Sequence, residues 1–151
     1  MEPLHTEMTL PAPRDLVWAT LADLEGVSVW NPSIEEAECI SDQVTGLGAR
    51  RRCRMRPSGW MTETVTEFEL GRCIAFTVDK ATPLKSGVGR FVLADSGADT
   101  SFVATFDYEI RFGPLGPVID RLVVHRQHRS AWNDGMEGLR RHIDDLAQAS
   151  A

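Results

Sequence analysis

The stretch GPLGPVIDRLVVHRQHRSAWNDGMEGLRRHIDDLAQ, from Gly113 to Gln148, decides the fold. After Pro117 it carries neither proline nor a β-rich run for about thirty residues, and a proline fits a helix's first turn because its missing N–H would have had no partner there. Val118, Leu122, Trp132, Met136, Leu139, Ile143 and Leu146 fall roughly along one stripe, which predicts a single helix from about Val118 to Ala147. The centre of that stripe departs from the pattern. His125-Arg126-Gln127-His128-Arg129-Ser130 places polar groups between two apolar ends, so either the helix stands off the body and is wet there or a polar group enters the space beneath it. Just before this stretch, Phe102, Ala104, Phe106, Tyr108, Ile110 and Phe112 alternate with Val103, Thr105, Asp107, Glu109 and Arg111, a half-buried strand with its even positions facing the core. A sheet closed by one late helix leaves an apolar hollow between them, and hollows bind small molecules.

Leu4 to Leu10 alternates as a strand and is ended by Pro11-Ala12-Pro13. Val17, Leu21 and Leu24 then fall at i, i+4 and i+7, an amphipathic helix to about Asp23. A second short helical piece, Gly26 to Trp30, must stop where Asn31 precedes Pro32, because the proline ring drives the preceding residue out of helical geometry. Six further strands are expected: Ile34 to Ser41, Ala49 to Arg56, Trp60 to Leu70, Cys73 to Asp79, Gly89 to Asp95 and Ser101 to Phe112. The turns between them are short, which favours an antiparallel meander over crossovers. The expected architecture is α+β, one domain over residues 1–151, with seven strands, two short helices after the first strand and a long C-terminal helix.

With 151 residues, 42% hydrophobic and 25% charged, the chain has the composition of one globular core. A formal charge of −6 and a pI near 5.2 argue against a nucleic-acid partner, since phosphate binding needs a dominant basic face. No segment approaches the roughly twenty apolar residues that span a bilayer, and Met1-Glu2-Pro3-Leu4-His5 lacks the regions of a signal peptide. A cytoplasmic protein is expected. Cys39, Cys53 and Cys73 all lie in predicted strands without a CxxC spacing and read as small core hydrophobes. Gly46-Leu47-Gly48 and Gly87-Val88-Gly89 lack the third glycine of a dinucleotide fingerprint and read as turns. No Gly-x-Ser-x-Gly elbow occurs, and no cofactor is expected.

Several strings, taken with the order of elements, resemble the START-like, or SRPBCC, superfamily, in particular its polyketide cyclase/dehydrase and lipid-transport branch. They are Ala12-Pro13 followed by Val17-Trp18 and Leu21-Ala22-Asp23, then Val29-Trp30-Asn31-Pro32-Ser33, Gly46-Leu47-Gly48-Ala49, Glu63 in a middle strand, and Leu115-Gly116 before the last helix. The resemblance implies a helix-grip fold, a curved sheet wrapped around the C-terminal helix. Its members include ligand carriers, ring-closing enzymes and co-chaperone-like domains, so activity must be argued from the site.

In the hairpin around Pro57-Ser58-Gly59, Arg50, Arg52, Arg54 and Arg56 share a solvated face while Ala49, Arg51, Cys53 and Met55 share the other. A three-residue loop would set Met55 near Met61, Cys53 near Glu63 and Arg51 near Val65, turning Arg51 and Glu63 into the hollow. Glu63 is then either half of an ion pair with Arg51, the commoner fate of a buried charge, or a carboxylate that works on a ligand as acid or base. Tyr108 is the other catalytic candidate, its hydroxyl reaching a ligand or satisfied within the core. The expected pocket is lined by Phe76, Phe106, Tyr108 and Leu122 with Trp30 near its mouth, and Arg126 and Arg129 either meet a polar ligand group there or reach out to solvent. His125 and His128 have a spacing that metal sites use, but further ligands are missing and the adjacent arginines would repel a cation, so no metal is expected. Two functions follow: binding of a mostly apolar small molecule, lipid or polyketide-like, or a polyketide aromatase/cyclase or dehydratase acting on a ligand held in the same cavity. A protein-interaction module is disfavoured by the arginine face.

Overall fold

The computed structural model describes residues 3–57, 59–79, 81, 84–111, 113–119 and 123–150. Strand β1 (Leu4–Leu10) is followed by helices α1 (Arg14–Ala22) and α2 (Val27–Trp30), and then by β2 (Ile34–Cys39), β3 (Arg50–Met55), β4 (Trp60–Glu69), β5 (Cys73–Asp79), β6 (Leu84–Ser96) and β7 (Asp99–Ile110). A 3-10 turn at Gly113–Leu115, α3 (Gly116–Ile119) and α4 (His125–Ala149) complete the chain. The sheet order is β1-β7-β6-β5-β4-β3-β2 with every neighbour antiparallel. Six strands therefore form a meander of hairpins, and β1 closes its far edge by pairing with β7. Because β1 and β2 are the two edges, α1 and α2 carry the chain across the sheet. This is the helix-grip arrangement.

Local chemistry sets the element ends. Pro13 occupies the N-cap of α1 in extended geometry, and its carbonyl accepts from the Leu16 and Val17 amides. Asn31, extended before Pro32, ends α2 as expected. Helix α4 runs unbroken through the polar His125–Ser130 segment. Val118 instead belongs to the separate α3 and is 56% exposed, so the stripe does not extend back to it; Leu122 lies outside the described residues. Close approach fixes Gly138 of α4, where an added Cβ would stand 2.1 Å from the Trp30 carbonyl oxygen.

The strand boundaries differ most from expectation at the start of β6 and at the β6–β7 hairpin. Strand β6 begins at Leu84, five residues before Gly89, because Gly87 and Gly89 are ladder residues rather than a turn. The β6–β7 hairpin pairs Ser96 with Asp99 over a two-residue turn in which Gly97 has φ of 63°, tighter than the five-residue loop expected. In the β3–β4 hairpin Arg51 faces Glu63 and Cys53 faces Met61, two residues off the expected register, because Gly59 (φ 105°) joins the ladder, its carbonyl accepting from the Met55 amide. A shift of two preserves which face each side chain takes.

The main apolar cluster packs α1, α2 and the C-terminal half of α4 on the sheet through Leu10, Val17, Trp18, Phe102, Leu139 and Ile143. A smaller one lies under the start of α4 with Leu4, Val78, Leu84, Tyr108, Ile110 and Val124. Met61 and Trp132 touch both, and the candidate site lies between them.

Candidate functional site

Between α4 and the inner face of the sheet lies a cavity of about 180 Å³. Its strand walls are Leu4 from β1, Arg51 and Met55 from β3, Met61 and Glu63 from β4, Phe76 and Val78 from β5, Leu84 and Phe91 from β6 and Phe106 from β7. Helix α2 and the following turn add Val27, Trp30, Asn31 and Ser33, β2 adds Ile34, and α4 adds His128, Ala131, Trp132, Gly135 and Met136. The surface is overwhelmingly apolar and aromatic, with a charged group at one end and an imidazole at the other.

The charged end is the Arg51–Glu63 pair, 7% and 4% exposed. Directly opposed on β3 and β4, the two side chains meet in a bidentate geometry: Arg51 Nε donates to Glu63 Oε1 and Nη2 to Oε2, each at 3.3 Å. Arg51 Nη1 donates to the Leu24 carbonyl at 2.9 Å, so all three guanidinium nitrogens are engaged within the fold. The guanidinium also lies 5.4 Å from the Phe76 ring centroid, a cation–π contact. Burial alone would lower the Arg51 pKa, but the Glu63 charge overrides it and the group stays more basic than usual. Cys53 donates its thiol to Glu63 Oε1 at 3.6 Å, and burial, then the same carboxylate, push that thiol up to about 12. Cys53 is therefore a neutral donor, not a nucleophile.

At the other end, aromatic rings connect strand to helix. Phe106 stacks on Trp132 at 6.1 Å and on Tyr108 at 5.8 Å, and Tyr108 stacks on His125 at 6.3 Å. The Tyr108 hydroxyl and His125 Nδ1 share a hydrogen bond of 2.8 Å, and Trp132 Nε1 donates to Thr6 Oγ1 at 2.8 Å. His128 meets the Tyr108 ring edge-on at 5.1 Å while also lining the cavity.

Of the residues expected at the site, Trp30, Arg51, Glu63, Phe76 and Phe106 come together on the cavity wall. Tyr108 does not. Its strand position is inward and the residue is buried, but its hydroxyl is turned to His125 and it lies behind Phe106 rather than on the lining. Arg126 and Arg129 are exposed on the outer side of α4 and stand away from the cavity, and Leu122 lies outside the described residues. His128, Trp132 and Met61 line the cavity without having been expected there. Helical periodicity holds the signal for the two on α4. Counting back from Leu139 through Met136 and Trp132 by threes and fours reaches His128 and then His125, so the polar interruption itself carries the buried stripe.

The chain belongs to the family described as polyketide cyclase / dehydrase and lipid transport, whose model matches residues 1–144. Among solved structures it is similar to the Zhui aromatase/cyclase from Streptomyces sp. R1128, at 21% identity over 99% of this chain and 98% of that one, with a TM-score of 0.85. It is also similar to TTHA0849 from Thermus thermophilus, at 20% identity over 96% and 99% of the two chains and a TM-score of 0.80. A START superfamily protein from Mycobacterium smegmatis aligns at 16% identity over 95% and 98%, with a TM-score of 0.75. At these identities the likeness establishes a shared fold. No curated protein matches the chain by sequence. Among the described residues, no helix is long and apolar enough to cross a membrane.

Proposed function

We propose that this chain binds a mostly apolar small molecule, lipid or polyketide-like, in the cavity under α4. One observation carries the reading: a cavity of about 180 Å³ walled by Trp30, Phe76, Phe91, Phe106, Trp132 and aliphatic and methionine side chains, in which the buried ion pair is satisfied by its own neighbours. A mostly apolar cavity of this size favours an apolar guest, as a cavity of about 150 Å³ takes benzene. The volume suits a compact ring compound better than a full-length acyl chain. Native mass spectrometry of freshly purified protein should retain a copurified guest, and the fluorescent probe 1-aminoanthracene should bind and compete with it. Met136→Trp, which fills the cavity from α4, should weaken the probe at least about tenfold. Protein that carries no guest and binds no probe would sink the reading.

His128 supports a second reading, an aromatase/cyclase or dehydratase acting on a guest in the same cavity. An imidazole that faces the cavity is a group able to pass a proton to or from a bound guest. Glu63 is less suited, since both its oxygens accept from Arg51 and one also from Cys53. On a ring-closing polyketide substrate, His128→Gln should cut turnover by roughly a hundredfold or more with the fold intact. Unchanged turnover removes His128 from the chemistry.

A further inference from the structure

Gly87 and Gly89 sit side by side on the inner face of β6, both buried. Neither has the positive φ that would call for glycine, and a glycine inside a strand weakens it. Their reason lies on the neighbouring strands. Gly89 pairs with Phe76 on β5 and with Phe106 on β7; Gly87 pairs with Val78 and Tyr108. A Cβ on Gly89 would stand 2.7 Å from Phe76 Cε2, and one on Gly87 would stand 2.7 Å from Phe106 Cζ, closer than real side chains approach. Two of the rings that wall the cavity therefore lie across bare backbone.

Apart from the cavity itself, each ring has neighbours on the sides to which it could retreat. Phe76 is held edge-on to Phe91 at 5.4 Å and has the Arg51 guanidinium over its face, while Phe106 is stacked between Tyr108 and Trp132. A methyl group arriving from the sheet would push each ring into the open cavity. We infer that Gly87 and Gly89 are the positions that set the size selectivity of this cavity, by letting the Phe76 and Phe106 rings approach bare backbone and leaving room for a compact ring compound. The inference rests on the binding reading above. It adds which residues decide how large a guest is admitted.

Calorimetric titration with a two-ring probe, 2-naphthol, and a three-ring probe, 1-aminoanthracene, tests it through the ratio of the two affinities. Gly89→Ala and Gly87→Ala should each lower affinity for the larger probe by about tenfold or more and for the smaller one by clearly less, because lost room acts on size. Trimming the displaced ring, in Gly89→Ala/Phe76→Leu and Gly87→Ala/Phe106→Leu, should restore the wild-type ratio to within about threefold. Equal losses for both probes, or losses that trimming does not repair, would mean that the glycines serve the fold alone and would overturn the inference. Should the alanine variants fail to fold, Phe76→Leu and Phe106→Leu in the otherwise native chain give the same answer in reverse: the ratio must shift towards 1-aminoanthracene, and an unchanged ratio overturns the inference. Wild-type protein that binds neither probe defeats the binding reading itself, a result distinct from wild-type binding with indifferent glycine variants.

Discussion

Strand β3 carries arginines on both faces, and the two faces treat them differently. Outside, Arg52 reaches Glu38 and Arg54 reaches Glu35 and Glu36 on β2, with side chains roughly half exposed, and both guanidinium groups lie against the Trp60 ring. Inside, Arg51 meets Glu63 with side chains only 8% and 4% exposed. The chemistry of the pairs is the same, but the solvent is not. Water screens the outer charges and rehydrates either partner when the other is lost, whereas the inner charges were desolvated on folding and depend on each other and on the Leu24 carbonyl. The outer arginines hold the edge strand β2 through contacts that water weakens, and the inner one commits the hairpin to a register.

The largest expected effect comes from breaking the inner pair. Glu63→Gln leaves Arg51 buried without its counter-charge and should cost about 3–5 kcal/mol of unfolding free energy. Replacing both partners, Arg51→Met with Glu63→Leu, should recover most of that loss, since an apolar pair needs no solvation. Denaturant melts of the single and double variants check both points. A Glu63→Gln melt equal to wild type would mean that the carboxylate is not buried as described.

The thiols extend the comparison to pH. In the folded state Cys53 titrates near 12 and in the unfolded chain near 9, so the folded protein holds a proton that the unfolded one releases. Its contribution is fully present below pH 9 and is lost as pH rises from 9 towards 12, at a slope of up to about 1.4 kcal/mol per pH unit. Stability of Cys53→Ala should fall less steeply over that window than that of the native chain. At pH 8 a disulfide reagent should modify half-buried Cys39 in the native protein and Cys53 only after unfolding; rapid native labelling of Cys53 would contradict its burial.

A smaller effect is expected from an inner hydrogen bond that involves no arginine or carboxylate. Tyr108→Phe removes the hydrogen bond to His125 Nδ1, which should cost about 1 kcal/mol, while affinity for 1-aminoanthracene stays within about threefold because Tyr108 is behind the lining. A large drop in affinity with unchanged stability would place the hydroxyl in the cavity after all.

These contrasts also explain what was legible in the sequence. Alternation placed Arg51 and Glu63 inside, and it survived a register two residues off because side-chain direction depends only on parity. Pro32 and the apolar stripe from Trp132 to Ile143 marked the α2 end and the buried face of α4 from local information alone. What failed depended on residues far away in the chain. Gly87 and Gly89 look like turn glycines until Phe76 and Phe106 are seen across them. Tyr108 has the right parity for the cavity but is used by His125, and Arg126 and Arg129 fall off the buried stripe that His128 continues. Parity and period place a side chain on a face; they do not tell which of its neighbours will claim it.

The smallest effect is expected outside, and it tests the comparison from its other end. Glu38→Gln removes one partner of an exposed pair, yet Arg52 keeps the Trp60 ring at 4.6 Å and open access to water. The lost attraction is worth less than about 1 kcal/mol, and salt that screens it should shrink the difference from the native chain further. Melts at low and high ionic strength measure both quantities. If Glu38→Gln cost as much as Glu63→Gln, and did so at high salt, solvent exposure would not be what separates the two faces, and the account of Arg51 as the committed arginine of this strand would fall with it.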